Sequence, residues 1–73
     1  MADIEAKTEV TGAVWKIVTA VGQRVEAGET IMIIESMKME IPVMSEEGGV
    51  IAKLLVEEKT PVSEGQVVAI LTS

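Results

Sequence analysis

Glu29-Thr30-Ile31-Met32-Ile33-Ile34-Glu35-Ser36-Met37-Lys38-Met39-Glu40-Ile41 is a run of thirteen residues without Gly, Pro, Asn or Asp. Its front half, Thr30 to Ile34, is β-branched and apolar, which reads as a strand. Fully extended, such a run spans roughly 43 Å at about 3.3 Å per residue. A compact chain of this length has a radius of gyration of about 11 Å, hence a diameter of roughly 30 Å. A strand over the whole run must therefore double back, and the middle of the reversal falls at Met37-Lys38. Glu, Met and Lys are also good helix formers, so a short helix over Glu35 to Ile41 is the competing reading.

A reversal at Met37-Lys38 breaks local rules. Two-residue hairpins favour Asn-Gly or Asp-Gly, because both central residues need positive φ. Local rules are broken where function asks for something besides stability. A lysine at such a tip, between two methionines, is a side chain offered to a partner. The plainer reading is an ordinary solvated turn lysine.

Composition narrows the functions available. Seventy-three residues make one domain, read here as residues 1–73, with a thin core. There is no cysteine and no histidine. Disulfides, thiolate metal sites, cysteine nucleophiles and the usual general base are absent together. An active site would have to be built from carboxylates and lysines, which is possible but unpromising; no catalytic residue and no metal site is singled out. Six basic and twelve acidic residues give a net charge of -6 and a pI near 4.4, which speaks against nucleic acid or an anionic membrane as partner. The longest apolar run, Val67 to Leu71, is far short of a membrane span. Met1 to Glu5 is acidic and lacks an apolar signal region, so the expected setting is the cytoplasm.

An internal repeat organises the rest. Shifted by 37 positions, the halves align without a gap: Gly12 on Gly49, Lys16 on Lys53, Val25 on Val62, Gly28 on Gly65, Ile33 on Ile70 and Ser36 on Ser73. The repeat units run over about 12–36 and 49–73. The alternation predicts Ala13, Trp15 and Ile17 on one strand face, matched by Val50, Ala52 and Leu54, with Lys16 and Lys53 turned to solvent. Thr30 to Ile34 and Val67 to Leu71 read as strands apolar on both faces. Met1 to Val10 reads as a leading strand and Ile41 to Met44 as its counterpart. Gly22-Gln23-Arg24 and Gly28 supply turns in the first copy. Lys59-Thr60-Pro61 and Gly65 do so in the second, with Pro61 fixing φ in place of a flexible glycine. Glu46 to Gly49 reads as the loop joining the halves. No helix is convincing. Two copies of one motif predict two small antiparallel sheets related by a pseudo-two-fold. The repeat puts the equivalent of Lys38 just past Ser73, so the hairpin should lie at one end of the domain and the chain ends at the other.

On these residues the sequence resembles the biotinyl (biotin carboxyl carrier) domain family over nearly its whole length. Glu35-Ser36-Met37-Lys38-Met39 matches the family's attachment motif, Ala/Ser-Met-Lys-Met with its preceding Glu. Gly12, Gly22, Val25, Ala27-Gly28, Pro42, Gly49, Val62 and Glu64-Gly65 resemble its flanks. The resemblance implies an all-β fold, a flattened barrel or sandwich of two four-stranded antiparallel sheets. It implies biotin in amide linkage to Lys38, with Glu35, Ser36, Met37 and Met39 recognised by other proteins. It implies a monomeric, non-catalytic carrier rather than an enzyme, served by a biotin protein ligase, that takes a carboxyl group from biotin carboxylase to a carboxyltransferase. Glu9-Val10-Thr11-Gly12 lacks the family's frequent Pro-Met-Pro-Gly, Lys59 stands where a glycine is usual, and Ile17 to Val25 is too short for a "thumb". These departures bear on the particular carboxylase and suggest a free-standing small carrier or a domain cut from a longer chain.

Three rivals stand beside this reading. A lipoyl carrier domain shares the fold and the lysine hairpin, but lipoyl domains usually carry Asp-Lys-Ala. An unmodified β-barrel binding module should show an aromatic or charged groove, and Trp15 is the single aromatic residue. A hydrolase would have to be built from scattered glutamates.

Overall fold

The computed structural model describes residues 3–73. Eight strands form in chain order: β1 (Asp3–Lys7), β2 (Gly12–Ile17), β3 (Arg24–Val25), β4 (Thr30–Ser36), β5 (Met39–Met44), β6 (Gly49–Leu54), β7 (Pro61–Val62) and β8 (Val67–Thr72). They make two four-stranded antiparallel sheets, ordered β1-β8-β6-β3 and β5-β4-β2-β7. There is no helix among the described residues. The radius of gyration is 11.1 Å and the extents are 36 × 19 × 19 Å. The first two residues of the expected leading strand, Met1 and Ala2, lie outside the described residues, and β1 ends at Lys7 rather than Val10.

The repeat becomes a pseudo-two-fold that exchanges the sheets. A shift of 37 carries β1 onto β5, β2 onto β6, β3 onto β7 and β4 onto β8. Backbone bonds outside the ladders repeat with it. Val14 N donates to Thr60 O at 2.9 Å, and Ile51 N to Gln23 O at 2.8 Å. Gly65 N donates to Thr8 O at 2.8 Å, and Gly28 N to Ser45 O at 2.7 Å. Thr8 and Ser45, the two buried polar residues, occupy equivalent corners, and each hydroxyl donates to a carbonyl two residues on. The pair Asp3–Thr72 is the equivalent of Glu40–Glu35, so the start of β1 and the end of β8 lie side by side where the other half places its hairpin.

The core lies between the sheets. Ile31, Met32, Ile34, Ile51, Val68 and Leu71 are at most 1% exposed. Here the structure corrects the expected strand faces. Val14, not Trp15, enters the core, and Trp15 is 47% exposed. The cause is a bulge: Val14 pairs with Ile34 and Lys16 with Ile33, so Trp15 and Lys16 together oppose Ile33. An extra residue breaks the period of two and leaves both side chains on the outer face. The second copy repeats the device, with Ile51 buried and Ala52 with Lys53 opposite Ile70. Two smaller expectations also change. Gly49 begins β6 rather than closing the loop. Lys59 itself takes φ 72°, the place of Gly22 at φ 92°, while Pro61 lies on edge strand β7, where a missing N–H is tolerated.

Gly12 is required by close approach. A Cβ there would sit 2.2 Å from the Glu35 carbonyl oxygen, and one at the equivalent Gly49 would sit 2.7 Å from that of Thr72. Backbone atoms on both sides cannot yield cheaply. Gly12→Ala is expected to cost about 3 kcal/mol or more, as a clash within a packed interior does. Lys59→Gly is expected to gain roughly 0.5–1 kcal/mol, since relief of left-handed strain outweighs the extra chain entropy. Urea denaturation of the two variants beside the native chain checks both signs.

Candidate functional site

The run that opens at Glu29 does double back. Strand β4 pairs with β5 through Ile34–Ile41, Glu35–Glu40 and Ser36–Met39, which leaves Met37 and Lys38 as a two-residue turn. Their φ angles are 53° and 66°, both left-handed. The helical alternative does not occur.

Burial explains why the reversal falls on residues that resist it. Ile34 is 0% exposed and faces Ile41 across the ladder. Sliding the register by one residue would turn Ile34 outward, and burial of such a side chain is worth about 1.5–3 kcal/mol. Two left-handed non-glycine residues cost roughly 1–2 kcal/mol each. The sheet therefore over-determines the turn, with Ile34, Met32 and Val43 all fixing one register.

The base of the hairpin is tied to a distant part of the chain. Ser36 Oγ donates to Thr11 O at 2.8 Å. Thr11 Oγ1 in turn accepts from Glu64 N at 3.0 Å. Beside them, the backbone of Gly12 lies against the Glu35 carbonyl. Thr11, Gly12 and Glu64 thus hold the hairpin base, which no short-range pattern announces. Their sequence separations of 25 and 53 residues hide the contacts. For Gly12 the hints are the repeat, which aligns it with Gly49, and its place among the flanks that carry the family resemblance.

Beyond that base the tip is in solvent. Lys38 is exposed, Met37 is 90% exposed and Met39 58%. Among the described residues no carboxylate lies within ion-pair distance of Lys38, and no hydrogen bond engages its amine. Glu35 and Glu40, both exposed, stand directly opposite one another one pair below the tip. Like charges placed so are mildly destabilising, though solvent screens them. Glu40 joins the expected Glu35, and a turn at 37–38 is enough to pair the two. Glu35, Met37, Lys38 and Met39 are thus gathered at one exposed end, while Ser36 looks inward to Thr11. A groove at the seam of β1 and β5, lined by Asp3, Lys7, Pro42, Met44 and Glu46 among others, includes no residue of the turn. The described residues hold no group of three or more Asp or Glu able to bind a metal. What the arrangement offers chemically is one accessible primary amine on a two-residue turn whose base is tethered.

The fold and this presented lysine define a carrier-type domain. The chain matches the family model described as "Biotin-requiring enzyme", the biotin/lipoyl attachment family, over residues 4–71, and it belongs to that family. It is 34% identical over 65 residues to the biotin/lipoyl attachment protein of Bacillus subtilis, covering 89% of each chain. Among solved structures, urea carboxylase of Kluyveromyces lactis superposes with a TM-score of 0.93 at 38% identity, over 99% of this chain and 6% of that one. The lipoyl domain of the 2-oxoglutarate dehydrogenase complex of Azotobacter vinelandii gives 0.74 at 31% identity, over 100% of this chain and 98% of that one. The protein is a biotin/lipoyl carrier domain, and domains of this family are carriers rather than catalysts.

If the tip is strained for presentation, replacing it should stabilise the fold. The double variant M37N/K38G supplies the preferred turn and is expected to gain about 1–2 kcal/mol. Thermal and urea melts check the gain; equal or lower stability would mean that the turn carries no strain.

Proposed function

We propose that the chain is a biotin carboxyl carrier, with biotin joined through an amide to Nζ of Lys38. The observation that supports this most directly is the pair of exposed methionines on either side of Lys38. Methionine is flexible and polarisable, and suits docking into the pockets of several different proteins. The residues present fit the group, because an amide to biotin's carboxyl needs a free primary amine that another enzyme can reach. Bound biotin would supply a ureido ring that accepts a carboxyl group at one enzyme site and yields it at another.

This chain's own part is mechanical. Lys38 Nζ would hold the group: its neutral amine would form the amide with the activated carboxyl, whose leaving group departs, and the nitrogen would give up a proton. The sandwich holds the attachment point clear of its own surface. Tethering turns a dilute encounter into one at roughly millimolar effective concentration. The partners in this reading are a biotin protein ligase, a biotin carboxylase and a carboxyltransferase. Its likeness to part of urea carboxylase supports the carboxylase context, and a cytoplasmic setting belongs to the same proposal. The likeness to a lipoyl domain along nearly the full length of both chains favours a second reading, a lipoyl carrier of a 2-oxoacid dehydrogenase complex.

Incubation with biotin, ATP and a biotin protein ligase, followed by intact mass, separates the two. The expected result is a gain of one biotinyl group, lost in Lys38→Arg. A gain only with lipoate and its ligase would select the second reading. No gain with either would overturn both.

A further inference from the structure

The pseudo-two-fold supplies an internal control, because it equates the outer faces of the two sheets position by position. Across the β5-β4-β2 face, one row reads Pro42, Ile33 and then Trp15 with Lys16. The equivalent row on the other sheet reads Glu5, Ile70 and then Ala52 with Lys53. Met44 likewise corresponds to Lys7, which there pairs with Glu5 at 3.8 Å. Backbone and bulge are the same on both faces; what differs is the apolar surface. Trp15 and Met44 are 47% and 50% exposed, and Pro42 is exposed as well. The face that carries them is the one continuous with the Lys38 hairpin. Folding does not need these side chains outside, as the polar sister face demonstrates.

We infer that the outer face carrying Trp15, Ile33, Pro42 and Met44 is the docking surface for the ligase that acylates Lys38. This rests on the carrier reading above. Reach selects the ligase among the enzymes concerned. Before modification, the four-carbon stem of Lys38 is all that can enter an active site, so the folded body must come up against that enzyme. After modification the arm is longer and the body can stand further off. The row Pro42–Ile33–Trp15 lies roughly 13–16 Å from the tip, four or five residues along the strands. A partner that swallows Lys38 and lies along this sheet reaches the row without leaving the hairpin. Charge defines the complementary surface. Glu35 and Glu40 stand between tip and row on a chain of net charge -6, so the ligase should offer an apolar patch bordered by cationic groups. Tryptophan is the residue type most often found as an interface anchor.

Steady-state acylation of the native chain, Trp15→Ala and Met44→Lys tests this, with exposed Lys53→Ala as control on the sister face, away from the β1–β5 seam. The expected result is a KM rise of about tenfold in each face variant, as loss of an anchor gives, with kcat retained and Lys53→Ala unchanged. Because Trp15 is the single tryptophan, 5-fluorotryptophan labelling of the Lys38→Arg chain gives one fluorine resonance. That resonance should shift or broaden when unlabelled ligase is added. Normal acylation with KM unchanged in both face variants, or a fluorine signal indifferent to ligase, would overturn the docking surface alone. A fluorine shift that follows the domain's own concentration would assign the face to a second copy instead. No acylation of the native chain would overturn the carrier reading and this inference with it.

Discussion

The structure turns on a register that two sheets agree to hold. Ile34 is buried opposite Ile41, and two pairs beyond it the chain must reverse through Met37 and Lys38 with both residues left-handed. Neither residue favours that backbone, and the cost is of the order of the burial of one large aliphatic side chain. Such strain persists only where the surroundings over-determine it. Here they do so by core packing on one side and by the Ser36–Thr11–Glu64 hydrogen bonds on the other. A flexible glycine turn would be cheaper, but it would offer neither the lysine nor Met37 beside it.

The second organising fact is that one motif is used twice and only one copy carries a hairpin. Strand order, bulges, corner hydroxyls and close glycine contacts all repeat with the shift of 37. Duplicated structure serves stability, so the places where the copies differ are where function is to be sought. They differ at the hairpin, whose equivalent position holds the start of β1 and the end of β8. They also differ on the outer faces, where Trp15, Pro42 and Met44 replace Ala52, Glu5 and Lys7.

Much of this was legible in the sequence for a physical reason. A run too long to cross the domain must turn at its centre, and a gapless repeat fixes which strands correspond. The all-β class, the two sheets and the position of Lys38 follow from those two readings. The direction of Trp15 did not follow, because alternation assumes a regular ladder and a bulge adds one residue without a sequence mark. Lys59 in a glycine-like conformation was hidden for a similar reason: nothing local in Lys59-Thr60-Pro61 shows which residue takes the positive φ. The tether at the hairpin base lies beyond any local pattern, since Thr11 and Glu64 meet only in the folded sandwich.

In the proposed carrier function, position on the turn, rather than the mere presence of an exposed lysine, makes the site. Exchanging the two turn residues in the M37K/K38M variant keeps composition, charge and the number of exposed amines. Intact mass after incubation with ligase, ATP and biotin, with circular dichroism to verify the fold, measures what the exchange does. The account predicts a folded domain that gains no acyl group. A folded variant acylated as readily as the native chain would contradict it.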